Sequence, residues 1–252
     1  MHSNFFCKSP YINLYEEPSY KSKISSQILY GEKFRILLKK KNWFKVKTSF
    51  DNYIGYIKKK HHLEKFKPTH KISNLKARIF KYPKNLVKYK SNNYLPFSSK
   101  IEILKKYNNF VMFEKNRWLN IKDINKINYQ EKNFIKILKL FLGCKYKWGG
   151  KTFKGIDCSA ILQLIFYYNN KNYPRDTKDQ MHFSKKINSK NSFKKGDVIF
   201  WKGHVAICIN SNLLIHAYGP EKKVLIMPIN KTINKIEKTA NLKVKKIVKL
   251  NL

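Results

Sequence analysis

A chain of 252 residues is too long for one small module and fits one large domain or two to three small ones. Hydrophobic residues make up 42% of it and aromatic residues 15%, which is enough to bury real cores and excludes a disordered chain. The formal charge of +39 invites a polyanionic partner, but of the 54 basic residues only Arg35, Arg78, Arg117 and Arg175 carry the guanidinium fork that reads guanine and phosphate. Lysine scattered among Asn and Ile reads as a compositional bias of the source genome, with attraction to anionic polymers or membrane surfaces left open. No specific nucleic-acid partner is expected.

The first residues, MHSNFFCKSPYINLYEEP, lack the apolar core of about seven residues that a secretory leader needs. No run approaches the roughly 18 apolar residues of a membrane span. The chain as given is therefore expected to be cytoplasmic, although a removed leader would reverse that reading. Residues 1–66 then offer short alternating runs, YINLY, SSQILYG, KFRILLK, WFKVKT and YIGYIK, that predict the strands of a small all-β barrel. FKPTHKISN, with Pro68, reads as a linker. Residues 67–127 repeat the idea with ARIFKYP, YLPFS, KIEILKKY, NFVMFEK and RWLNIKDI. FRILLKKKNWFKV against IEILKKYNNFVMF suggests a weak internal duplication.

From residue 128 the periodicity changes. EKNFIKILKLFLG places Phe134, Ile137, Leu138, Phe141 and Leu142 at helical spacing, with Gly143 to stop the helix. YKWGGKTFKGIDC is a Gly-rich loop, and SAILQLIFYYNN predicts a second helix that is apolar all round and so buried. Three strands follow, GDVIFW, HVAICI and LLIHAY. Helix, loop and helix before an antiparallel sheet is an α+β pattern.

Cys158 stands at the start of the second predicted helix, where unpaired N–H groups and the helix dipole favour a thiolate. The thiol pKa is expected to fall there. The Asn210-Ser211-Asn212 turn pairs the last two strands so that 206 faces 216 and 204 faces 218. His204 and His216 then share one strand face as diagonal neighbours. Cys158 as nucleophile, His204 as its base and His216 as the group orienting His204 form a consistent set, with the helix N–H groups of Cys158 or Ser159 for the oxyanion. A buried structural cysteine and two structural histidines are the plain alternative. Zinc would need paired local ligand spacing, which is missing, so no metal or organic cofactor is expected. Cys7, Cys144 and Cys208 lack any such setting and read as structural.

The blocks YKWGGKTFKGIDCSAILQ, YPRDTKDQ, FKKGDVIFWKGHVAICI and LIHA, spread over residues 146–217, resemble the NlpC-type family of papain-like cysteine peptidases. SQILYGEKF and DNYIGYI resemble the first of the bacterial SH3-like domains of members that act on murein peptides. The resemblance implies two SH3-like domains, 1–66 and a degenerate 67–127, before a peptidase domain at 128–252. It implies cleavage of the γ-D-glutamyl–diamino-acid bond in peptides with a free N-terminal L-alanine, in wall-peptide recycling.

It further implies a triad of Cys158, His204 and His216. Tyr53 would stand beside the thiol, Glu32 and Asp176 would hold the substrate ammonium, and Trp148, Asp157, Ser159 and Thr177 would line the peptide. Asp157 could equally cap the helix, and Gln163 and Arg175 read as fold support. Tyr56, Ala160 and Cys208 depart from the family's usual Trp, Gly and aromatic. An exported hydrolase of intact wall, or a module gripping wall or anionic polymers, are the rival readings. Oligomeric state is not legible.

Overall fold

The computed structural model describes residues 4–59, 62–185 and 192–251. They fall into two units, residues 1–130 and residues 131–252, each with its own core.

In the first unit, β1 (Asn4–Cys7), β2 (Tyr11–Tyr15), β3 (Ile24–Leu29), β4 (Lys33–Lys40), β5 (Trp43–Thr48), β6 (Ile54–Lys58) and β7 (His62–Leu63) form one antiparallel sheet in the order β3-β2-β6-β5-β4-β1-β7. Alternation decides which side chains go inward. Ile12 and Leu14 of β2, and Phe44 and Val46 of β5, bury with Ile28, Phe34 and Ile57, and their alternate neighbours keep partial exposure. The five predicted strands are present, and β1, which buries Cys7, joins them.

The rest of this unit comprises β8 (His70–Ile72), β9 (Lys76–Phe80), β10 (Lys90–Pro96), β11 (Lys100–Ile101), β12 (Lys105–Tyr107), β13 (Phe110–Glu114), β14 (Arg117–Asn120) and β15 (Ile124–Lys126). They make a five-stranded sheet, β10-β9-β14-β13-β12, and a three-stranded one, β11-β8-β15. Two expectations are corrected here. The predicted linker contains β8, because Lys71 and Ile72 bury between β11 and β15. KIEILKKY is two strands in two sheets, with Ile103 packed on the core where the chain crosses between them.

Tyr30 ties the two halves of this unit together. Its ring lies in the second core with Ile72, Leu95 and Val111, and its hydroxyl donates to Glu114 Oε1 at 2.7 Å. Gly31 follows at φ +72, and a Cβ there would come within 2.2 Å of the Lys100 carbonyl oxygen. Both the backbone conformation and the close approach require glycine.

The second unit begins with α1 (Phe134–Leu140), then β16 (Lys151–Thr152) and β17 (Gly155–Ile156) as a short ribbon inside the Gly-rich loop. Next come α2 (Cys158–Tyr168) and α3 (Thr177–Phe183). The sheet is built from β18 (Asp197–Trp201), β19 (His204–Cys208), β20 (Leu213–Tyr218), β21 (Lys223–Pro228) and, after α4 (Ile229–Ala240), β22 (Lys246–Lys249), in the order β21-β20-β19-β18-β22. All eleven residues of α2 are buried, which fits its unbroken apolar sequence. It packs on β19 and β20. The sheet is wider than the three predicted strands by β21 and β22, and α3 occupies part of what reads as loop.

Candidate active site

The start of α2 is fixed by one carboxylate. Asp157 is extended, and its Oδ1 accepts the Ala160 N–H at 2.8 Å, the bond of an N-cap. Its Oδ2 accepts the Gly149 N–H at 2.9 Å. Arg175 then clamps both oxygens, Nη1 to Oδ1 at 3.0 Å and Nη2 to Oδ2 at 2.7 Å, and Nη1 also donates to Ser159 Oγ at 2.8 Å. Ser159 Oγ in turn donates to Asp157 Oδ1 at 3.1 Å. Arg175 is 2% exposed and Asp157 5%. Asp157 and Ser159, which the resemblance sets along the peptide, are each 5% exposed. Their polar atoms are engaged within the protein, and Asp157 has the capping role that the sequence left open. Gly150 lets the loop close on this knot, since a Cβ there would lie 2.4 Å from the Gly155 carbonyl oxygen.

The Cys158 thiol projects from this fixed start. Its Sγ lies 4.0 Å from the Gly203 carbonyl oxygen, with the Val205 backbone N–H and the Thr177 side chain placed to favour negative charge on sulfur. Gly203 and Val205 are the neighbours of His204, so the thiol is held against the strand segment that carries the histidine. β19 and β20 pair Ile207 with Ile215 and Cys208 with Leu214, the register that puts 206 opposite 216. His204 Nε2 lies 2.9 Å from His216 Nδ1. His216 is fully buried, stacks on Tyr218 at 4.7 Å and 10°, and has its Nε2 3.4 Å from Met227 Sδ. Trp201 and Tyr218 each lie 5.6 Å from the His204 ring.

Burial sets the electrostatics. It pushes the Cys158 thiol up to about 11, the Asp157 charge adds to this, and the bonds from Val205 and Thr177 oppose it. Burial also lowers His204 to about 4, and lowers His216 to about 3 with help from the charges of His204 and Lys235. The expected fall of the thiol pKa is thus corrected. Both directions favour an uncharged thiol and uncharged imidazoles in the resting site, with the proton moving as the sulfur attacks. Alkylation of Cys158 by iodoacetamide, followed by peptide mass spectrometry to separate it from Cys144, is expected to be slow at neutral pH and to rise towards about pH 11. A rate already maximal at neutral pH would show a preformed thiolate–imidazolium pair and contradict this ordering.

The remaining predicted residues divide between the units. In the second, Thr177 touches the thiol, and Asp176 immediately precedes it without capping α3. Trp148 is 62% exposed, so its ring does not serve to pack the Gly-rich loop. In the first unit, Glu32 is buried and its Oε2 accepts the Leu29 N–H at 3.0 Å. Tyr53 packs beside the first core, its N–H donating to Thr48 Oγ1 at 2.9 Å. Among the described residues, no group of three or more His, Cys, Asp or Glu side chains is placed to hold a metal ion, and no helix is long and apolar enough to cross a membrane.

Sequence reasoning missed four groups. The Val205 N–H is a backbone group whose role its motif block does not signal, and the Met227 thioether lies outside every quoted block. Tyr218 was placed on the histidine face but given no role. Tyr146 lies in a quoted motif block and is near enough to the thiol for the Cys158 and Asp157 charges to raise its pKa further, after burial.

A thiol at a buried helix start, with a linked imidazole pair on an adjacent hairpin, defines a papain-like cysteine peptidase. Residues 143–242 match the NlpC/P60 family model, and residues 14–61 match the bacterial dipeptidyl-peptidase Sh3 domain. The chain carries an NlpC/P60 cysteine-peptidase domain, with a bacterial SH3 domain ahead of it. It is 27% identical, over 83% of its length and 77% of the relative's, to the gamma-D-glutamyl-L-lysine dipeptidyl-peptidase of Bacillus subtilis strain 168. It is 26% identical, over 81% of its length and 84% of the relative's, to dipeptidyl-peptidase 6 of Lysinibacillus sphaericus. The fold is shared with the crystal structure of an NlpC/P60 family protein from Bacillus cereus ATCC 10987, with a TM-score of 0.82, 21% identity and coverage of 98% and 99% of the two chains.

Proposed function

We propose that the protein hydrolyses the γ-D-glutamyl–diamino-acid bond of peptidoglycan-derived peptides bearing a free N-terminal L-alanine, in the recycling of wall peptides. The observation that carries the chemistry is the 2.9 Å link between His204 Nε2 and His216 Nδ1, beside a thiol held at Gly203 and Val205. The substrate class is supported by the Bacillus subtilis relative, which is named for γ-D-glutamyl-L-lysine.

Cys158 Sγ forms the bond to the glutamyl carbonyl carbon as its proton passes to His204 Nδ1. The carbonyl oxygen becomes an oxyanion, which backbone N–H groups at the start of α2 stabilise. His204 returns the proton to the leaving amine nitrogen as the C–N bond breaks. Water, deprotonated by the same imidazole, then hydrolyses the thioester and restores the thiol. His216 holds His204 in position throughout. Asp176, next to Thr177 beside the thiol, supplies a carboxylate for an ammonium group, and an ammonium taken out of water needs such a partner. The exposed Trp148 ring offers a wall for the peptide.

The test is hydrolysis of L-Ala-γ-D-Glu-meso-diaminopimelate and its lysine counterpart, each beside its N-acetylated form and beside intact sacculi. Cleavage confined to the free-amine peptides is the expected result. Equal cleavage of the acetylated forms would remove the amine requirement. Sacculi digested as fast as tripeptide would replace recycling with wall remodelling.

A further inference from the structure

His216 is a fully buried imidazole with both ring nitrogens in contact, Nδ1 at 2.9 Å from His204 Nε2 and Nε2 at 3.4 Å from Met227 Sδ. The β20–β21 register makes the second contact a matter of design. His216 pairs with Leu225 and Leu214 with Met227, so Met227 is the diagonal neighbour of His216 on the same face of the sheet. A thioether has lone pairs and no hydrogen, so it can only accept. Met227 therefore favours the His216 tautomer with its hydrogen on Nε2.

The rest follows from proton counting. A neutral imidazole has one N–H, so His216 Nδ1 carries a lone pair and accepts from His204 Nε2–H. His204 then has its single hydrogen on the Nε2 side, and its Nδ1 lone pair is left to receive a proton. In the opposite arrangement, His216 Nε2 would turn a lone pair towards sulfur lone pairs in a buried site. His204 would carry its hydrogen on Nδ1 and could not act as a base there. The stacked Tyr218 ring, 4.7 Å away and 10° from parallel, holds the His216 plane in line with both partners. The charged group of α4 that bears on His216 is Lys235, whose Nζ lies 5.7 Å from the Tyr218 ring centroid and pairs with Glu221.

We propose that Met227 is a positioning residue whose thioether accepts the His216 Nε2–H and thereby sets the tautomers of both histidines, keeping His204 Nδ1 basic. The consequence for turnover rests on the catalytic reading above, but the tautomers do not.

Nitrogen-15 NMR of histidine-labelled protein, at a pH well above that of free histidine titration, reads them directly. The wild type is expected to show protonated Nε2 and unprotonated Nδ1 on both residues. Met227→Leu conserves volume but removes the acceptor. It is expected to mix the His216 tautomers and to lower kcat by about fivefold, the scale of one weak hydrogen bond, with KM unchanged. Met227→Gln, which restores an acceptor oxygen, is expected to recover much of that loss. A protonated Nδ1 on His216 in the wild type, or tautomers and kcat unchanged in Met227→Leu, would overturn the proposal. Expected tautomers in a protein that does not cut the peptide would support it and sink the substrate reading alone.

Discussion

Arg175→Met is expected to cost about 3–5 kcal/mol of folding free energy, read as a lower urea midpoint at unchanged slope. The reason is what stays behind. Asp157 is 5% exposed, and Arg175 supplies both of its guanidinium contacts, at 3.0 and 2.7 Å. Without them a buried carboxylate keeps only the hydrogen bonds from Gly149, Ser159 and Ala160. Arg175→Lys keeps the charge but loses the two-pronged bond and the contact with Ser159, so it is expected to fall between Met and wild type. Replacing both partners, Asp157→Leu with Arg175→Met, leaves no unpaired buried charge. That double variant is expected to be more stable than the sum of the single changes implies. Additive losses would mean that the pair is not coupled as the geometry requires. Because Asp157 caps α2, the same substitutions are expected to loosen the helix start on which Cys158 sits.

The thiol and its neighbours show where two physical effects compete. A helix start is worth about 0.3–1 kcal/mol to a negative charge near the surface, and up to about 2 in partly buried sites. Moving the thiol from 9.0 to about 11 corresponds to roughly 3 kcal/mol in the other direction. The reversal arises because α2 is buried along its whole length and because the residue before the thiol is a full negative charge. Sequence reasoning weighed the dipole without the burial. SAILQLIFYY read as buried all round already contained the larger effect.

The parts of the fold legible in advance are those with a local signal. WFKVKT alternates and becomes β5 with the predicted limits. The Asn210-Ser211-Asn212 turn fixed the β19–β20 register, and with it the meeting of His204 and His216. What was missed depends on partners remote in the chain. His70–Ile72 is a strand only because β11 and β15, some 30 and 55 residues on, flank it, and its own sequence around Pro68 looks like a linker. Residues 219–252 had signals that were not used. KVLIMP is an apolar run, and Ile229, Ile233 and Ile236 mark one face of α4. Leaving them out hid Met227, because its role appears only when β21 lies beside β20. For Asp157, the sequence offered capping and peptide lining on equal terms. The bond from the Ala160 N–H establishes the cap, and the clamp from Arg175, eighteen residues away, has no local signal.

The largest catalytic effects are expected at the thiol and its base, on the roles proposed above. Cys158→Ala removes the atom that forms the acyl bond, so hydrolysis of the free-amine tripeptide is expected to vanish. The buried site would lose one sulfur and keep its other side chains. His204→Ala leaves the sulfur but removes its proton acceptor. Because the thiol titrates near 11, little thiolate forms unaided at neutral pH, and kcat/KM is expected to fall by about 10²–10⁴-fold. That loss should shrink as the pH rises towards about 11, since hydroxide then does what the imidazole did. His216→Ala keeps the base but frees its orientation, so its loss is expected to be smaller and independent of pH above about 4, where His204 is uncharged. The double variant Cys158→Ala with His204→Ala is expected to be no worse than Cys158→Ala, because residues acting as one unit do not add. The pH dependence separates the roles. A His204→Ala loss that stays constant up to high pH would mean that the imidazole positions substrate, and the assignment of His204 as the base would have to be given up. Full activity in Cys158→Ala would remove the thiol from the chemistry altogether.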